Sequence, residues 1–210
     1  MNTEKRDFDK EAAAWDEKPA RVRLATDVAA AITGQVPLTT AMNALDFGCG
    51  TGLLTLRLQP LVRSITGVDS SRGMLDIFKA KVSALKLAHV EAKLCDLDTG
   101  DTLSGSYDLV VSNMTLHHIR EIEPLLGQFY AVMAPGGTLC LADLDAEGGQ
   151  FHEDNTGVFH FGFDRAALRR LCMDAGFVEV ADLTATEIEK PDRNGALRRF
   201  PVFLLIARKG

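Results

Sequence analysis

Asp46, Gly48, Gly50 and Gly52 fall within seven residues, and Asp69 follows about twenty further on. Glycine serves where a chain must take φ > 0 or approach a ligand too closely for a Cβ, so three at alternate positions leave an open backbone groove. Each acid closes a short apolar run, Leu45-Asp46-Phe47 and Ile65-Thr66-Gly67-Val68-Asp69. A strand, a glycine turn, a helix and then a second strand ending in an acid is the order in which Rossmann-like folds hold a nucleoside cofactor, the second acid meeting the ribose. His117 and His118 add imidazoles that titrate near neutrality and suit proton transfer.

These groups need strands to carry them. Apolar runs alternate with segments of helical period, which predicts β-α units and a mainly parallel sheet. The strands expected are Asn43 to Phe47, Ser64 to Val68, Val90 to Cys95, Tyr107 to Ser112 and Thr138 to Asp143. Helical spacing from Ser71 to Leu85 would bury Met74, Ile77, Phe78, Val82 and Leu85. A second helix would bury Ile122, Leu125, Leu126, Phe129 and Met133 before Pro135-Gly136-Gly137 stops it. A third opens at Asp164 as N-cap and ends at Gly176. Phe177 to Ile188 and Phe200 to Arg208, joined by Pro191 to Gly195, read as a terminal antiparallel pair. The first forty residues show mostly helical pattern broken at Pro19, a good first helical residue, with Gly34 and Pro37 as punctuation before the first strand. One domain is expected over 1–210, a helical lid over 1–40 and a core over 41–210.

That order of elements resembles the class I S-adenosylmethionine-dependent methyltransferase family. The resemblance runs from about Phe8 to Lys209 and rests on five motifs in sequence. They are Leu45 to Gly52; Gly67-Val68-Asp69-Ser70-Ser71 with Met74; Cys95-Asp96-Leu97; Tyr107 to Asn113 followed by Leu116-His117-His118-Ile119; and Ala134 to Leu139. It implies an α/β, Rossmann-like, doubly wound seven-stranded sheet, mostly parallel, with a C-terminal antiparallel pair and an N-terminal helical lid. It also implies S-adenosylmethionine as cofactor, S-adenosylhomocysteine as product, and in-line methyl transfer.

Residue roles follow from the same resemblance. Gly48, Cys49, Gly50 and Gly52 would lie along the methionine moiety, with Asp46 near its ammonium and Ser112 close by. Asp69, beside Ser70, would take both ribose hydroxyls, since a carboxylate offers two acceptor oxygens. Asp96, or Asp98 in its place, would accept from the adenine amino group, with Leu97 and Met74 around the ring. Cys49 also reads as a small packed residue. A sulfonium is cationic, so acids suit it. The nicotinamide fingerprint wants Gly or Ala where Leu53 stands, which makes an NAD-dependent oxidoreductase the weaker alternative. A cofactor-binding sensor or partner subunit shares the same loop and stays open.

The acceptor is narrowed by exclusion. The fourth motif reads Ser112-Asn113-Met114-Thr115 rather than the [DN]PP[YFW] of amino-group methylases, and the histidine-pair form is most similar to the quinone-biosynthesis and other small-molecule group. A small, partly apolar acceptor is expected. Phe8 and Trp15 from the lid, Asn113 and His117, and Phe151, His152 and Phe159 from the segment after the fifth strand would line its pocket. The aromatics of that segment could equally dock it onto the core. His118 or His160 is the candidate for proton removal, although the histidine pair also reads as structural. Metal ligation is not expected, since His152, His160, Asp143 and Asp145 match no zinc spacing.

Bulk properties agree. The net charge of −6 and the lack of a basic run speak against nucleic acid and anionic membranes. The longest apolar run, Phe200 to Ala207, is too short to span a bilayer. Four dispersed cysteines without a CxxC pair read as reduced thiols of a cytoplasmic protein.

Overall fold

The computed structural model describes residues 6–210. Seven strands form one sheet: β1 (Asn43–Phe47), β2 (Ser64–Asp69), β3 (Val90–Leu94), β4 (Tyr107–Asn113), β5 (Met133–Leu144), β6 (Phe177–Pro191) and β7 (Leu197–Lys209). Their spatial order is β3-β2-β1-β4-β5-β7-β6. The first five are parallel, and β7 runs antiparallel between β5 and β6. Among the described residues the α-helices are α1 (Phe8–Glu11), α2 (Pro19–Gln35), α3 (Thr55–Leu58), α4 (Arg72–Ala84), α5 (Ile122–Val132) and α6 (Arg165–Asp174), and Pro19 is the first residue of α2.

Alternation along the strands decides which helices cover which face. Leu109 and Val111 of β4 and Cys140 and Ala142 of β5 pack with Leu24, Val28 and Ile32 of α2 and with Leu75 and Phe78 of α4. Their neighbours Val110, Leu139 and Leu141 point the other way, into a second core with Leu125, Leu126 and Phe129 of α5 and Leu168 and Cys172 of α6. Both faces are thus buried, as a parallel sheet requires. The chain builds outward from β1 through β2 to β3 and then returns to lay β4 on the other side of β1. This reversal leaves a crevice at the carboxyl ends of β1 and β4, where open α/β sheets bind ligands.

Two boundaries differ from expectation. Helix α5 gives way at Val132 and β5 begins immediately, so Pro135 to Gly137 lie in an irregular strand segment rather than between elements. Tyr107 pairs with Met133 and Leu109 with Thr138, and the extra residues are taken up there. Leu85 lies just past α4 and is 60% exposed, outside the apolar stripe. Among the described residues no helix is long and apolar enough to cross a membrane.

Candidate functional site

The three glycines of the β1 turn all have positive φ, at 71°, 54° and 82° for Gly48, Gly50 and Gly52, yet they do different work. A Cβ on Gly48 would lie 2.2 Å from Thr115 Oγ1, and one on Gly52 would lie 2.2 Å from the Phe78 ring. These two glycines permit close packing of the turn against β4's loop and α4. A Cβ on Gly50 would meet nothing nearer than Met74 Sδ at 4.0 Å, so its open side faces the cavity.

That cavity, about 1010 Å³, lies over the crevice. It is at the upper end of the range for ligand pockets and has room for a nucleoside cofactor with a small second molecule. Asp46, Gly48, Cys49, Gly50, Asp69, Ser70, Met74, Asp96 and Leu97 all line it, as do Phe8, Trp15, Asn113, His117, His118, Phe151, His152 and Phe159. Three expected residues are placed elsewhere. Gly52 is turned to Phe78. Ser112 is buried in β4, its hydroxyl donating to the Phe47 carbonyl at 2.9 Å. His160 shares a 2.9 Å hydrogen bond with the Ile119 carbonyl and packs on Phe163, away from the cavity wall.

The two acids are held differently. Asp69 at the end of β2 accepts the Gly50 amide on Oδ2 and the Ser71 amide on Oδ1, each at 2.8 Å, which ties the glycine turn to the start of α4. Asp46 is fully buried and accepts the Thr55 hydroxyl at 2.5 Å. Burial pushes its carboxyl up to about 7, and the nearby charge of Asp69 adds to this against the Thr55 hydrogen bond. An uncompensated buried carboxylate of this kind favours a cationic neighbour. A backbone cradle, a buried acid with no counter-charge among the described residues and a carboxylate at the end of β2 together fit S-adenosylmethionine. At the far side Asp96 caps a short 3-10 turn by accepting the Asp98 amide, and Met74 is buried beneath α4's first turn. The Cys49 thiol is buried and raised well above its ordinary range, which agrees with packing rather than reactivity.

The N-terminal helices close one side. Asp9 accepts from the Ser71 hydroxyl at 2.5 Å and the Gly73 amide at 2.9 Å. Asp16 accepts from Thr51 Oγ1 at 2.6 Å and pairs with Lys81, which itself donates to the Thr51 carbonyl. Glu11 pairs with Arg6 and Arg21, and the Arg21 guanidinium lies 3.4 Å over the Trp15 ring. Phe8 stands edge-on to both Trp15 and His118.

The segment after β5 divides between the two uses foreseen for it. Phe151 and Phe159 line the cavity, whereas Phe163 is buried in the core and Phe161 is 46% exposed. His152, His160, Asp143 and Asp145, whose spacing matches no zinc motif, turn to different partners. Asp145 makes a bidentate pair with Arg165 at 2.6 and 2.7 Å, and Asp143 is completely buried and hydrogen-bonded to His117 Nδ1 at 2.7 Å. His152 instead packs against His117 and His118. Residues that sequence reading passed over include Arg6 and Lys190, both on the cavity wall. Lys190 comes from β6, the far edge strand, and nothing in its local sequence signals this; Asp143 could have been found as an acid at the carboxyl end of β5 beside the histidine-bearing end of β4.

Comparison with known proteins agrees. Residues 44–137 match the family model described as a methyltransferase domain. An uncharacterized methyltransferase of Schizosaccharomyces pombe is 34% identical over 59% of this chain and 48% of its own length. A trans-aconitate 2-methyltransferase of Delftia acidovorans is 32% identical over 55% of this chain and 43% of its own. The chain thus spans about half the length of the curated relatives it matches. Among solved structures, Haemonchus contortus phosphoethanolamine N-methyltransferase 2 in complex with S-adenosyl-L-methionine superimposes with a TM-score of 0.72. It does so at 18% identity, over 88% of this chain and 52% of that one, a likeness of fold. Motif order, sheet order and the matched region lead to one conclusion: residues 44–137 are similar to a methyltransferase domain and sit in a sheet with the strand order of that fold.

Proposed function

We propose that this protein transfers a methyl group from S-adenosylmethionine to a small, partly apolar molecule. The observation that carries the reading is the Gly50 face of the β1 turn, open to the cavity and flanked by Asp46 and Asp69. When bound, the cofactor supplies a methyl group already activated on a sulfonium, so the protein has little covalent work to do. Orientation alone is worth ~7 to 11 kcal/mol in favourable cases. Asp69 orients the ribose while fixing the turn through its two amide bonds; Asp46 supplies the buried negative charge; Met74 and Leu97 give the base an apolar seat, and Asp96 an acceptor.

The acceptor lies against Phe8, Phe151, Phe159 and the histidines in this reading, and the N-terminal helices serve as its lid and exclude water. Arg6 and Lys190 put cationic groups on the same cavity, and relatives are named for trans-aconitate. Both observations support an acceptor with a polar or anionic end on an apolar body. The net charge of −6 supports a partner that is neither nucleic acid nor an anionic membrane, and four buried free thiols support a reducing, cytoplasmic setting.

Calorimetric titration with S-adenosylmethionine, S-adenosylhomocysteine and NAD tests the reading. Binding of the first two, lost in Asp69→Ala, is expected, followed by transfer of labelled methyl in a screen of small acids and phenols. Preference for NAD would overturn the cofactor assignment, and binding without transfer across the screen would leave a cofactor sensor.

A further inference from the structure

His117, His118 and His152 bring one ring nitrogen each to within 4.8 Å of one another on the cavity wall. Their rings sit at centroid separations of 4.1, 5.1 and 5.8 Å. The partners of the other nitrogens determine what each has left to offer. His117 Nδ1 faces Asp143 Oδ1 at 2.7 Å, which leaves Nε2 for the cavity. His118 Nδ1 is 2.6 Å from the Gly157 carbonyl, which can only accept, so that nitrogen carries the proton and Nε2 is unprotonated in the neutral ring. His152 Nε2 is buried and has no hydrogen-bond partner.

We propose that these three histidines bind a divalent transition metal of the zinc class. Three imidazoles are the donor set of an open zinc site, with a fourth position left for a water or a substrate oxygen. Zinc–nitrogen bonds of about 2.0 to 2.1 Å bring tetrahedral ligands to roughly 3.4 Å from one another. Ring rotations therefore have to draw in the wider of the separations. The His117–Asp143 contact is the outer-shell arrangement that orients a metal-binding histidine and raises its basicity. Ligation through His152 Nε2 moves the ring proton to Nδ1 and gives up the long 3.4 Å contact with Arg6, which keeps its 2.7 Å pair with Glu11. Metal binding stands independently of the proposed methyl transfer. Only its use rests on that reading: the fourth position would hold an oxygen of the acceptor and favour its deprotonated form.

Chelator-stripped protein, titrated with Zn²⁺ by calorimetry and with Co²⁺ by visible absorption, tests this. One metal ion per chain is expected, with Co²⁺ giving the absorption bands of a four-coordinate nitrogen site. His152→Ala, in the loop after β5 and outside every strand, is expected to abolish those bands. Asp143→Asn is expected to weaken affinity by about 10- to 100-fold. His89→Ala, whose ring is engaged by Gln59, serves as the control and should bind as wild type. Absence of binding to the wild-type protein overturns the site, as does unchanged binding in His152→Ala and Asp143→Asn. S-adenosylmethionine titrations of the same samples keep the two readings apart: cofactor binding without metal binding removes only the metal site, and metal binding without cofactor binding removes only the methyltransferase reading.

Discussion

The Thr55 hydroxyl donates to the Asp46 carboxylate across 2.5 Å inside the core, joining the end of strand β1 to the first turn of α3, with no cation beside the acid among the described residues. The carboxyl of Asp46 is raised from 3.8 to about 7 by burial. Below about 3.8 the acid is protonated in both states and costs folding nothing; the penalty on the folded state builds as pH climbs from there and is complete above about 7. Asp46→Asn is therefore expected to raise Tm at pH 8, by a free energy bounded at about 4 kcal/mol, and to do little at pH 4. Cofactor affinity should move oppositely. A cationic ligand favours the ionised form, so wild-type affinity for S-adenosylmethionine rises with pH toward 7 and binding at pH 6 releases a proton. Calorimetry in buffers of different ionisation enthalpy reads that proton directly, and its presence in Asp46→Asn would assign the linkage elsewhere.

Gly50 and Gly52 offer a paired test of the turn. In Gly52→Ala the new methyl overlaps Phe78 at a φ of 82°, and a stability loss of about 3 kcal/mol is expected from strain and overpacking. In Gly50→Ala the methyl projects into the cavity at a φ of 54°. It costs about 1 kcal/mol of stability and weakens S-adenosylmethionine binding about tenfold or more. Thermal melts and titrations of both variants should show the effects exchanged between the two readouts. Equal loss of affinity would mean that Gly50 does not face the ligand.

How much of this was legible beforehand depended on range. The strands carrying Asp46 and Asp69 were visible because apolar runs of five or six residues ended in acids at turns, a local signal. The helix stripe from Met74 to Phe78 and the N-cap at Asp164 were equally local. What failed was the assignment of individual side chains to a side. Ser112 and Asn113 are adjacent on β4, yet alternation turns the first into the sheet and leaves the second at the cavity. Gly52 shares its spacing with Gly50 but meets Phe78, 26 residues on. The histidine group depends on the chain after β5 folding back over the end of β4, which no short-range pattern encodes, and His160 is drawn off by the Ile119 carbonyl.

The four cysteines provide a check on packing. Burial raises all of them, with Cys140 and Cys172 pushed up to about 12 and Cys49 well above its ordinary range. The thiolate is the reactive form. Native protein at pH 8 is expected to show no fast-reacting thiol toward an aromatic disulfide reagent, and all four after denaturation. A fast thiol in the native state, mapped to Cys49, would mean that the glycine turn opens far more readily than its hydrogen bonds to Val68 and Asp69 imply.

The contacts that seat the N-terminal helices meet the cofactor turn itself, and this makes their motion measurable. Asp16 holds Thr51, the residue after Gly50, and shares Lys81 with the Thr51 carbonyl, while Asp9 holds the first turn of α4 beside Asp69. Ordering the turn with ligand should therefore order the helices. Amide exchange over residues 8–17 is expected to slow when S-adenosylhomocysteine binds. In Asp16→Asn, which keeps an acceptor for Thr51 but loses the ion pair to Lys81, exchange should quicken about tenfold, the equivalent of 1.4 kcal/mol and a modest value for a partly exposed charge-assisted bond. Because Asp16 bonds to Thr51 and Lys81, both outside the strands, the same substitution should leave the slowest-exchanging amides of β4 and β5 unchanged. Exchange over 8–17 that responds neither to the ligand nor to the substitution would make these helices a fixed wall of the cavity, and the acceptor would then need another route in.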